Sequence, residues 1–187
     1  MATYATAAAE IGLWRSEEAL LQPLFTQDSV LLNVGCGAGR VSFGLWELGY
    51  HQVIGVDFAR PMIEAARLLA AKLEYATPFR VGDVTRLGFD AGVFDGVIWS
   101  AAGLADLADP AARTTALKEL RRVTKSGGRA LITTPLANDW PLAASSALFS
   151  STGWTVVTTT ARATVASEPD EVSRLYPDVT FWELKAV

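Results

Sequence analysis

Glycine recurs at alternate positions where an apolar run gives way to a basic residue, in Val30-Leu31-Leu32-Asn33-Val34-Gly35-Cys36-Gly37-Ala38-Gly39-Arg40. Such a turn, where a strand meets the next helix, lets backbone approach a ligand closely because no side chain intervenes. The dinucleotide pattern G-x-G-x-x-G requires its third glycine at position 40 counting from Gly35, or at position 42 counting from Gly37. The chain has Arg40 and Ser42 there, so the fingerprint of nicotinamide enzymes fails in both registers. Asp57 follows 22 residues after Gly35, a spacing at which a carboxylate accepts from both hydroxyls of an adenosine ribose. Phe58 and Met62 supply apolar partners for the faces of a purine, and Asp83, in Gly82-Asp83-Val84, adds a carboxylate that can accept from an exocyclic adenine amine. Together these residue types ask for an adenosyl group.

Groups able to take up a proton are few. The single histidine, His51, lies in the turn entering the second apolar run, at the opposite sheet edge from the glycine turn, and is read as structural. Candidate bases are Asp106 and Asp139, in loops after the fourth and fifth runs, and Tyr4 in the N-terminal segment. Asp106 and Asp109 also have an ordinary reading as solvated loop and helix cap. Trp14, Trp99 and Trp140 border the expected pocket, where an aromatic wall would suit an apolar, aromatic or cationic acceptor. A tryptophan in a strand, as Trp99 is, has core packing as its bland alternative.

The elements that must hold these residues alternate between short apolar runs and helical patterns, the signature of a parallel sheet with crossover helices. Strands are expected at Val30–Gly35, Gln52–Asp57, Thr77–Val81, Phe94–Ser100 and Arg129–Thr134. One helix opens near Ser16, with Glu17 and Glu18 favouring its positive end and Pro23 kinking or shortening it. Another opens near Pro61 with Ile63, Ala66, Leu69, Ala70 and Leu73 at helical spacing. A third is capped by Asp109, carries Leu117, Leu120 and Val123 on its buried stripe, and stops at Gly127 and Gly128. Residues 137–151 read as helix, and Trp154–Val165 and Val179–Val187 as two strands. Their joining loop, with Pro169 and Pro177, is too short for a right-handed helical crossover, so the pair is expected to be antiparallel.

Length and composition bound the rest. The 187 residues, half of them hydrophobic, fit one domain at about 150 residues per domain. Twenty acidic against 16 basic side chains give a net charge of −4, which lacks the diffuse basic footprint of a nucleic-acid binder. The basic cluster Arg121, Arg122, Lys125 and Arg129 falls at the amino edge of the expected sheet and is read as a solvated face. One cysteine and no long uncharged run point to a soluble, cytoplasmic chain without disulfide or membrane span.

In its ordered motifs the sequence resembles the class I S-adenosylmethionine-dependent methyltransferases. "LLNVGCGAGR" looks like the family's first motif, "VIGVDFARPMIEAAR" like the ribose motif and its helix, and "RVGDVTRL" like the adenine motif. "FDGVIWSAAGL" and "LKELRRVTKSGGRALITT" resemble the fourth-strand motif and the helix with the fifth strand, so the likeness runs over residues 30–134. It implies a Rossmann-like α/β three-layer sandwich with a seven-stranded mixed sheet in the order 3-2-1-4-5-7-6, the last strand antiparallel. It also implies S-adenosylmethionine as cofactor and S-adenosylhomocysteine as product. On that resemblance Gly35, Cys36, Gly37 and Gly39 pack against the methionine part, Asp57 binds ribose, and Asp83 with Val84 reads adenine. Ser100 and Ala101 would lie near the sulfonium and the acceptor. The segment "IGLWRSEEALL" resembles the opening of small standalone members, so Trp14, Arg15 and Ser16, with Tyr4, are expected to close the site, and Trp140 to border the acceptor.

The likeness breaks at Asn33, where the family carries an acid near the cofactor's amino group. The expectation is weaker cofactor affinity, with Asn33→Asp tightening it. No proline-rich tetrapeptide of amino-directed DNA methyltransferases follows the fourth strand, where Ser100-Ala101-Ala102-Gly103 stands, and no metal is expected. The chain is thus expected to form one domain: a lid segment over residues 1–28, a cofactor core over 29–134, and a helix with a C-terminal hairpin over 135–187. The expected reaction is methyl transfer to an oxygen or nitrogen of a small molecule, without nucleic acid or membrane. A noncatalytic cofactor-binding partner of another methyltransferase is the alternative.

Overall fold

The computed structural model describes residues 11–101, 103–136, 140–169, 172 and 178–187. In chain order the elements are α1 (Arg15–Leu24), β1 (Leu31–Val34), α2 (Arg40–Glu47), β2 (Val53–Asp57), α3 (Arg60–Leu73), β3 (Phe79–Val81) and β4 (Phe94–Trp99). They continue with α4 (Gly103–Asp106), α5 (Pro110–Val123), β5 (Thr124–Pro135), α6 (Leu142–Ser151), β6 (Trp154–Ala161), α7 (Arg162–Val165) and β7 (Val179–Ala186). The strands form one seven-stranded sheet in the order β3-β2-β1-β4-β5-β7-β6. Strands β1 to β5 pair in parallel, while β7 runs antiparallel to both β5 and β6. This is the fold the sequence motifs imply.

Burial on both faces explains why the central strands read as continuous apolar runs. All four residues of β1 are buried, and side chains along a strand point alternately to opposite faces. Leu32, Val97, Ala130 and Ile132 accordingly pack on one side with Leu117, Leu120 and Val123 of α5. Leu31, Ile98 and Leu131 pack on the other with Leu21 of α1 and Val41 and Leu45 of α2. Strand order reverses between β1 and β4, the switch point at whose carboxyl ends doubly wound sheets bind ligands.

Element ends differ from expectation in three places. Helix α5 begins at Pro110 with the Asp109 carboxylate accepting from the Ala111 amide (2.9 Å), but it stops at Val123 rather than at Gly127 and Gly128. The amides of Gly92 and Val93 collect the carbonyls of Arg122 and Val123 (2.9 Å each), so the helix end is satisfied without a glycine cap and β5 starts at once. Gly127, with φ of 76°, instead turns the bulge through which the pairing passes from Phe94–Thr124 to Gly96–Arg129. Strand β6 ends at Ala161, and the last expected strand residues form the helical turn α7, which buries Arg162 against Asp178 (3.0 Å) at the entry to β7. Helix α6 begins only at Leu142, after Pro141. Pro23 sits inside α1 one residue before its end.

Candidate active site

The first motif folds as a strand, a tight turn and a helix. Gly37 and Gly39 have φ of 54° and 100°, left-handed values that L side chains resist. At Gly39 an added Cβ would also sit 2.6 Å from a ring carbon of Phe43, whereas the space beside Gly37 is open. Asp57, at the carboxyl end of β2, fastens this turn. Its Oδ2 accepts from the Gly37 amide and its Oδ1 from the Ala59 amide, both at 2.8 Å. Each oxygen keeps a further lone pair, which is what the two hydroxyls of a ribose require.

A cavity of about 830 Å³ opens at this turn. Of the residues the sequence pointed to, Asn33, Gly35, Cys36, Gly37, Asp57, Phe58, Met62, Asp83, Val84, Ser100 and Ala101 line it. Gly39 does not line it and acts as the left-handed residue preceding α2. Phe58 is 81% exposed at the rim, an apolar face open to a flat ring. Asp83 holds Thr85 through one oxygen, accepting from its amide (2.8 Å) and its hydroxyl (2.7 Å). Those bonds lower its pKa and keep it ionised. Burial pushes the Cys36 thiol well above its ordinary range, helped by the Asp57 charge, so it lines the turn as a small apolar group. An open glycine cradle, two carboxylates and an apolar rim fit an adenosyl cofactor.

The far end of the cavity is walled by Trp14, Trp99, Ala101, Gly103, Asp106 and Leu107. Trp99 is 2% exposed yet faces the cavity, so it serves both readings given for it. Gly103 is what lets it fit, since a Cβ there would lie 1.8 Å from the indole nitrogen. Ala101 adopts φ of 64°, a strained value for a residue with a side chain, and its carbonyl accepts from the Thr133 hydroxyl. Asp106 ends α4 at the wall. Desolvation first, and the Asp57 charge second, raise its pKa above 3.8.

Other expected residues fall elsewhere. Trp14 lines the cavity, but Arg15 stays exposed on the outer side, bonded to Ser167 and Glu168. Trp140 is not a cavity wall; it packs on the core with the Arg113 guanidinium 4.5 Å over its ring. Tyr4 and Asp139 lie outside the described residues. His51 sits against Trp46, centroids 4.4 Å apart, in the turn before β2. The basic cluster is engaged at the amino edge, with Arg122 on Glu119, Lys125 on Asp95 and Arg129 on Glu183. Among the described residues no group of three or more His, Cys, Asp or Glu side chains is placed to hold a metal ion. Nor is any helix there long and apolar enough to cross a membrane.

Glu17 was missed as a site residue, and the departure at Asn33 has a physical reason. Asn33 is buried, donating from Nδ2 to the Ile98 carbonyl (3.3 Å) and accepting at Oδ1 from the Ser42 hydroxyl (2.9 Å). A carboxylate could not make the first bond. Glu17, read as a favourable charge at a helix end, is fully buried and ion-paired with Arg40 at 2.6 Å. The signal was its place on the apolar stripe, three residues after Trp14 and four before Leu21.

A seven-stranded sheet of this order, with a glycine turn and an acid at the end of β2 framing one cavity at the switch point, defines a class I methyltransferase fold and site. The chain belongs to the family described as "Methyltransferase domain", which matches residues 31–128. It is 35% identical over 104 residues to malonyl-[acyl-carrier protein] O-methyltransferase of Erwinia pyrifoliae, covering 56% of this chain and 36% of that protein. It is 36% identical over 123 residues to demethylmenaquinone methyltransferase of Mycolicibacterium gilvum, covering 64% and 47%. The matched stretch thus spans less than half of either relative. Among solved structures, an S-adenosylmethionine-dependent methyltransferase of Methanosarcina mazei superposes with a TM-score of 0.76 at 17% identity, covering 94% of this chain and 99% of that one. A TehB-like methyltransferase of Corynebacterium glutamicum gives 0.74 at 19% identity, covering 99% and 95%. These two likenesses speak for the fold.

Proposed function

We propose that the protein transfers the methyl group of S-adenosylmethionine to an oxygen or nitrogen of a small-molecule acceptor seated between Trp14, Trp99, Leu107 and Asp106. The observation carrying this reading is the cavity of about 830 Å³, adenosine-suited at one end and, at the other, apolar with a carboxylate of raised pKa. Pockets for one drug-sized ligand span about 300–1,000 Å³, so the space beyond a cofactor suits a small molecule rather than a polymer. Engagement of the basic cluster with acids at the opposite sheet edge supports the same choice over a polyanion. The proposed setting is the cytoplasm, consistent with a single cysteine that is buried and free.

Gly35, Cys36 and Gly37 would flank the cofactor's amino-acid part, Asp57 its ribose, and Asp83 with Phe58 and Met62 its adenine. When bound, the cofactor supplies a methyl group activated by a positive sulfur. Most acceleration then comes from holding the acceptor in line. Trp14 and Trp99 exclude water from that end, and Asp106 takes the proton an acceptor hydroxyl or ammonium must lose. The relatives named as acting on a malonyl group and on a demethylmenaquinone support a small acceptor group without identifying it.

The test is production of S-adenosylhomocysteine from S-adenosylmethionine over a panel of phenols, carboxylic acids and amines. Turnover confined to small acceptors, lost in Asp106→Asn, is expected. Binding without turnover on any of them would favour the noncatalytic reading.

A further inference from the structure

Glu17 is an acid without exposure, 0% accessible, and it does not itself line the cavity. All its oxygen sites are taken by donors. Oε2 accepts from the Trp14 amide at 2.8 Å and from Arg40 Nη1 at 2.6 Å; Oε1 accepts from Arg40 Nη2 at 2.7 Å and from the Ser100 hydroxyl. These four donors come from three residues of the cavity wall, one each from the lid segment, the end of the glycine turn and the end of β4. A carboxylate accepts only, and serine owns one proton. With that proton committed to Glu17, the Ser100 oxygen can only accept from whatever occupies the cavity.

The neighbouring polar groups have the same sense. Asn33 spends an N–H on the Ile98 carbonyl, and its Oδ1 accepts from the Ser42 hydroxyl, so it adds no charge to the corner. Among the described residues, Arg40 is the one basic residue of the cavity wall, and its charge is matched by Glu17. Among the described residues this corner therefore offers the Ser100 oxygen as acceptor and no uncompensated positive charge, which suits a hydrogen-bond-donating cation.

Resting on the methyltransferase reading, we propose that Glu17 is a positioning residue. By fixing the Ser100 proton it turns that hydroxyl into an acceptor for the ammonium of the cofactor's amino-acid part, in a chain whose position 33 carries an amide. Replacing Glu17 by glutamine keeps its shape but puts an NH2 against one of its donors, which frees the Ser100 proton to point into the cavity.

The experiment compares two probes by calorimetric titration: S-adenosylhomocysteine, and 5′-methylthioadenosine, which lacks the amino-acid part. Glu17→Gln should weaken the first by about tenfold or more, the scale of one hydrogen bond to a charged group, and change the second less than about threefold. Ser100→Ala, which leaves the ion pair in place, should reproduce that selective loss and carries the test if Glu17→Gln shows no cooperative thermal transition. The double variant should lose no more than the larger single loss. Equal losses for both probes would make Glu17 a merely structural latch and overturn the inference, as would unchanged S-adenosylhomocysteine affinity in Ser100→Ala. Wild-type protein that binds neither probe would instead overturn the methyltransferase reading beneath it.

Discussion

Asp57→Asn removes one charge and almost no volume from the point where the turn and the cofactor meet. In the wild type the carboxylate accepts from the Gly37 and Ala59 amides at 2.8 Å each, leaving one lone pair per oxygen for a ribose hydroxyl. An asparagine offers one accepting oxygen and one NH2, so one backbone amide meets a donor and one ribose hydroxyl loses its partner. A hydrogen bond to a charged group is worth about 1.5–3 kcal/mol. Losing the ribose bond therefore weakens cofactor binding roughly 10- to 150-fold, and disturbance of the turn adds to that. Equilibrium dialysis with labelled S-adenosylmethionine measures it, with circular dichroism confirming the fold. A loss below about threefold in a folded variant would refute the role given to this carboxylate.

Asp106→Asn should reduce turnover by about 10²–10⁴-fold while leaving cofactor affinity nearly unchanged, in steady-state kinetics and titration. Because desolvation and Asp57 raise its pKa above 3.8, the folded chain holds this proton more tightly than the unfolded one. The ionised group thus subtracts from stability above the raised value, so Asp106→Asn should melt higher than wild type at neutral pH, with the difference closing below pH 3.8. Asn33→Asp places a carboxylate against the Ile98 carbonyl and should cost about 1–3 kcal/mol, read as a lower Tm, whatever its charge gains with the cofactor. Gly103→Ala drives a methyl group into Trp99 and should cost about 1–3 kcal/mol, with a changed tryptophan emission spectrum.

The sheet order and the adenosine end were legible because each rests on local signals. Apolar runs bounded by turns mark β1, β2 and β4, and the glycines and Asp57 must sit at strand ends to do their work. The α5 terminus was misread because Gly127 and Gly128 look like a helix stop, while the true end is satisfied by amides of Gly92 and Val93, some thirty residues earlier in the chain. Trp140 and Arg15 were misplaced because proximity along the chain to a pocket segment says nothing of side-chain direction. Glu17 escaped because its meaning depends on Arg40 and Ser100, two contacts distant in sequence. Its one local sign, an acid on an apolar stripe, resembles an ordinary helix-start acid.

The proposed function requires the turn at residues 35–39 and Asp57 together to clasp an adenosine bearing a sulfonium. It is tested most directly by amide hydrogen exchange at Gly35, Cys36, Gly37 and Gly39 with saturating S-adenosylmethionine, and separately with NAD. Exchange at Gly37 and its neighbours should slow with the sulfonium compound and stay unchanged with the dinucleotide. Unchanged exchange with S-adenosylmethionine, or protection by NAD alone, would contradict it.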